Sequence, residues 1–95
     1  MSRLTKKQLM YAHILEARKH RVMCNRRCDK YEERGLFEKA ERNFREACDY
    51  AIKEDTFISA VTIVYGEHGC DLEVKLKAFA EVYMPDTVEF LEIKE

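Results

Sequence analysis

Residues 72–84 read Leu72-Glu73-Val74-Lys75-Leu76-Lys77-Ala78-Phe79-Ala80-Glu81-Val82-Tyr83-Met84, an unbroken alternation of thirteen residues. Leu72, Val74, Leu76, Ala78, Ala80, Val82 and Met84 share one parity, and Glu73, Lys75, Lys77, Phe79, Glu81 and Tyr83 share the other. A period of two is the pattern of a half-exposed β-strand, whose successive side chains point to opposite faces. Read as a helix, Leu72, Val74 and Leu76 scatter around the axis. The stretch therefore predicts a strand, and the neighbours are read in its light. Thr56 to Tyr65 is rich in β-branched and aromatic residues and reads as a buried strand. Gly66-Glu67-His68-Gly69 is a turn, Pro85-Asp86 a second, and Thr87 to Lys94 a third strand.

Upstream the period changes. Leu4 to Glu33 has neither glycine nor proline and is dominated by good helix formers. Met10, Ile14, Ala17, Cys24, Cys28 and Tyr31 make one apolar stripe, and Leu4, Tyr11, Leu15 and Val22 a second beside it. So broad an arc predicts packing against two elements. Gly35 is placed as a left-handed C-terminal cap, and a second helix runs from Leu36 to Glu54. Its apolar face holds Phe37, Ala40, Phe44, Ala47, Cys48 and Ala51. The short link forces an antiparallel hairpin. The expected fold is α+β, an N-terminal helical hairpin (1–55) packed on a three-stranded antiparallel meander (56–95) in the order αα-βββ, within one domain.

Cys28 to Ala47, CDKYEERGLFEKAERNFREA, resembles a single tetratricopeptide repeat. Tyr31, Gly35, Phe37, Ala40, Phe44 and Ala47 carry the likeness, which covers about a fifth of the chain. It implies a tight hairpin in which small Ala40 and Ala47 let the helices touch, with Phe44 and Tyr31 filling the groove. One repeat does not make the concave peptide-binding surface that an array makes.

The 95 residues bound a single domain, and no apolar run is long enough for a membrane span. A core in so short a chain takes most of its large apolar residues and leaves little room for a catalytic cavity. Four cysteines without a secretory leader read as reduced thiols of a cytoplasmic protein. Charge is uneven: residues 1–34 hold ten Lys/Arg against four Asp/Glu, and the remainder seven against fourteen. Such a split points to a partner for the basic part.

The candidate chemistries follow from spacing. His20, Cys24 and Cys28 line one edge of the first helix, and Cys48 is expected to face Cys24 across the hairpin, with Cys70 a further thiol; together they are weak zinc candidates. Core packing is the simpler role for cysteine, so no metal or other cofactor is assigned. His68, Cys70 and Asp71 share a turn, where a thiol nucleophile would need them curled together. Lys19, Arg26, Arg27, Lys30 and Arg34 form a basic face able to meet nucleic-acid phosphates, although no DNA-binding motif accompanies them. Arg18 and Arg21 fall inside the apolar arc and require acidic partners, which Glu73, Glu81, Glu89 and Glu92 could supply, from the same chain or a second copy. Phe79 and Tyr83 on the polar parity make an exposed aromatic pair, and strand edges want cover. These features predict a non-enzymatic interaction module. It self-associates as a dimer through Arg18, Arg21, Phe79 and Tyr83 and binds a protein partner, with nucleic-acid binding through the basic face as the alternative.

Overall fold

The computed structural model describes residues 3–91, which fold as three α-helices and a short 3-10 helix. Helix α1 spans Lys6–Glu33, α2 Phe37–Tyr65 and α3 Gly69–Tyr83, followed by the 3-10 turn Pro85–Phe90. Among the described residues there is no strand, so the expected α+β meander is corrected to an all-helical fold. The hairpin stands; the sheet does not.

Thr5 starts α1 with a capping box. Its hydroxyl accepts from the Gln8 amide at 3.1 Å while its own amide donates to Gln8 Oε1 at 2.9 Å. The helix ends at Gly35, whose φ of 74° is left-handed as its place in the sequence suggests. The Leu36 amide reaches back to the Tyr31 carbonyl at 2.9 Å and the Gly35 amide to Glu32 at 3.0 Å, closing a Schellman motif.

Helix α2 passes through the expected boundary at Asp55 and absorbs the whole segment read as the first strand. From Phe37 to Tyr65 there is no glycine or proline to stop it, and extending a formed helix is far easier than nucleating another element. Thr56 adapts by donating its hydroxyl to the Ile52 carbonyl at 2.8 Å. The stop is Gly66, at φ 70°.

In α3 the buried residues are Leu72, Leu76, Phe79 and Ala80, the i, i+4, i+7, i+8 signature of a helix face. The alternation has a simple origin. Leu72, Leu76 and Ala80 form an inner row at four-residue spacing, and Val74, Ala78 and Val82 an outer row offset by two, all three exposed. Two interleaved helical rows imitate a strand. The third expected strand is replaced by the 3-10 turn up to Phe90, and its last residues lie outside the described ones.

The seam between α1 and α2 is built from small residues. Ala17, Cys24 and Cys28 on α1 and Ala40 and Ala47 on α2 are all buried. Ala40 and Ala47 do what the repeat-like segment implies; Phe44 does not, for it points away from the seam and is 55% exposed. At one end α3 closes the core, where Leu72, Leu76, Phe79 and Ala80 pack with Tyr11, Ile14, Leu15 and Val61. The chain then returns along α1, burying Thr87 and Phe90 and setting the Arg26 guanidinium 5.3 Å from the Phe90 ring centre. At 1.5 Å per residue the 28 and 29 residues of the hairpin helices reach about 42 Å, while the 15 residues of α3 reach about 22 Å. The third helix therefore covers only about half the hairpin.

Candidate interaction surface

Two polar clasps hold the covered half, and the first engages Arg18 and Arg21, which the sequence offers as interaction sites. Arg18, 3% exposed, donates Nε to Glu54 Oε2 at 2.9 Å and both terminal nitrogens to Glu73 at 2.8 Å each. Burial alone works against its charge, but the hydrogen bonds it donates to Glu73 and then to Glu54 outweigh that and raise its pKa. Arg21 adds a bond to Glu54 Oε1 at 2.6 Å. Arg18 has the acidic partner it requires, within its own chain, and one of them is the expected Glu73. Glu54 is not legible as a partner in the sequence, because it sits at the expected end of the second helix.

The second clasp sits where a solvated turn was expected. Glu67 is buried, and it accepts from Tyr11 Oη, Lys7 and Lys75, the last at 2.8 Å. Burial pushes its pKa up, but hydrogen bonds from Lys7, Lys75 and Tyr11 prevail and bring it down to about 2. The Tyr11 phenol is raised, first by burial and then by its bond to that carboxylate.

The aromatic pair splits. Phe79 is buried, edge-on to Tyr11 with ring centres 5.8 Å apart, and stacks on Tyr83 at 4.9 Å, so only Tyr83 reaches solvent. Helical geometry turns Phe79 inward, where a strand would have turned it out.

The cysteines do not assemble. Cys24 and Cys28 are buried in the seam, whereas Cys48 is exposed on α2 one residue round from Ala47, so it does not face Cys24. Burial raises the Cys24 and Cys28 thiols, which accordingly stay protonated. Among the described residues no three His, Cys, Asp or Glu side chains are grouped to hold a metal ion. His20 instead stacks on Tyr50 at 5.0 Å and bonds Glu16 at 3.0 Å. Cys70 is exposed in the first turn of α3, and His68 sits just before that turn with no side-chain bond to the helix end.

The basic face is partly engaged. Lys19 pairs with Asp86 at 2.6 Å, Arg27 donates to Asn43 at 3.0 Å, and Arg26 lies over Phe90. Lys30 and Arg34 are exposed, and a shallow cleft beside Arg26 and Arg27 is shared with Asp29 and Glu33. Carboxylates within the patch dilute its field.

One group of the exposed apolar residues forms a row on α2 beside the seam. Phe37, Phe44 and Ile52 are 69%, 55% and 65% exposed, and exposed Cys48 lies between the last two. The spacings of seven, four and four keep them on one side of the helix. The sequence grouped Phe37 and Phe44 with Ala40 and Ala47 as one core face. The signal that separates them is the heptad Ala40, Ala47, Glu54, Val61, all buried, visible only once α2 is drawn to its full length. No family model, curated protein or solved structure matches the chain. Among the described residues no helix is long and apolar enough to cross a membrane.

Proposed function

We propose that this protein is a small non-enzymatic interaction module of the cytoplasm that self-associates as a homodimer through the outer side of α2. The observation that carries the reading is the row Phe37, Phe44 and Ile52, left in solvent on the side of α2 turned away from the buried stripe Ala40, Ala47, Glu54 and Val61. Isolated exposed apolar residues are ordinary, but two phenylalanines and an isoleucine aligned on one helix side form the kind of strip that helices bury against a partner. Free thiols at all four cysteines support a reducing compartment. Sedimentation velocity tests the reading: a species of about twice the 11.3 kDa chain mass is expected at micromolar concentration. Phe44→Glu is expected to give a monomer with unchanged helical circular dichroism. A wild-type chain that stays monomeric at the highest soluble concentration overturns the reading.

A further inference from the structure

The row that a dimer would bury carries charge as well as apolar surface, and the sign of that charge selects a partner other than a second copy. We infer that the row of Phe37, Phe44 and Ile52 is a docking site for a basic amphipathic helix of another protein, which displaces the second copy. The inference goes beyond self-association and does not rest on it.

At about 100° per residue, Phe37, Glu41, Phe44, Cys48, Ile52 and Asp55 fall on one side of α2, in steps of three and four. Glu41 and Asp55 are exposed, so carboxylates stand among the apolar side chains and not opposite them. Exposed Glu32 of α1 adds a third carboxylate at the edge of the seam, where it accepts from Cys28 Sγ at 3.8 Å. The bases of α2 turn elsewhere. Lys39 lies over the Tyr31 ring at 5.7 Å, on α1, and Lys53 over the Tyr50 ring at 5.2 Å, which itself stacks on His20 of α1. Helical spacing puts Arg42 on that same side, away from the row. Among the described residues of α2, Arg45 alone is a base that borders the row, and it is bonded to Glu41 at 2.6 Å.

A second copy that laid its α2 here would bring Glu41 and Asp55 against like charges, whereas lysine or arginine meets both with favourable sign. From Phe37 to Ile52, at 1.5 Å per residue, the row is about 22 Å long, or about four turns of a partner helix. On its seam side stand small Ala40, Ala47 and half-buried Ala51. They leave room for the larger apolar side chains of an incoming helix beside Phe37 and Phe44.

Fluorescence anisotropy with a labelled amphipathic peptide of leucine and lysine tests this, beside the same peptide carrying glutamate at every lysine position. The lysine peptide should bind at micromolar concentration, and sedimentation should show one chain with one peptide. The glutamate peptide should not bind. Glu41→Gln/Asp55→Asn should weaken the lysine peptide about tenfold while leaving the dimer as it is or tightening it. Glu81→Gln, an exposed acid on α3, should change neither. Equal binding of the two peptides would overturn the inference, since apolar contact alone would then suffice. Lysine-peptide binding that ignores Glu41→Gln/Asp55→Asn would overturn it by placing the peptide elsewhere. Two chains retained in the complex would leave the row to the second copy, and no binding at all would remove the site. Sedimentation without peptide reports self-association by itself, so either reading can fail alone.

Discussion

Arg18 of α1 and Glu73 of α3 meet through two hydrogen bonds of 2.8 Å, a planar fork closing on a carboxylate beneath the hairpin seam. With Glu54 on the remaining Nε, one guanidinium ties all three α-helices at a single buried point. The value of such a clasp lies less in net attraction, much of which desolvation cancels, than in what happens when one member is missing.

Arg18→Met should therefore be expensive. It removes the cation and leaves Glu54 and Glu73 with their charges facing a part-buried space, with Arg21 alone to answer Glu54. A loss of about 3–5 kcal/mol is expected from urea denaturation. Arg18→Met/Glu54→Leu/Glu73→Met, which clears both carboxylates, should recover most of it. A single variant that loses less than about 1 kcal/mol would show that the clasp does not hold α3 in place.

Glu67 makes stability fall on the acid side. Its folded pKa, about 2, lies below the ordinary carboxylate value of 4.5, so the unfolded chain binds the proton more readily. The contribution is complete above about pH 5 and is lost as the pH falls toward 2. In Glu67→Gln, stability should be lower at neutral pH and the slope between pH 5 and 2 shallower than in the wild type. Chemical denaturation at successive pH values measures both; an unchanged acid slope would place the sensitivity in other carboxylates.

How far the fold can be read from the sequence depends on which residues carry the signal. Leu4 to Gly35 is legible because helix-forming composition and the Gly35 cap agree, and the link at Gly35 leaves an antiparallel hairpin as the only course, whereas the Thr5 capping box emerges only in the structure. Arg18 is legible as a buried cation in need of carboxylates, and Glu73 is among those named. Glu54 and Glu67 are hidden because both sit at supposed element ends, where an acid looks solvated. The β-branched run from Thr56 to Tyr65 misleads since strand propensity mostly reports packing context, and an uninterrupted helix overrides it. The open row on α2 is masked in the same way: Phe44 looks like core until the alanine heptad shows which side α1 occupies.

Val74 and Leu76 put the helical period of α3 to a direct trial. Two residues apart, they would share one face of a strand and respond alike to truncation. On the helix they differ: Leu76 is fully buried among Ile14, Leu15 and Val61, while Val74 is 58% exposed. Leu76→Ala should cost about 2–5 kcal/mol through lost burial and the cavity left behind. Val74→Ala, removing side-chain surface that is mostly in water and gaining helix propensity, should stay within about 0.5 kcal/mol of wild type. Thermal and urea unfolding of the two variants measures the difference, and equal losses would restore the period of two and with it the sheet.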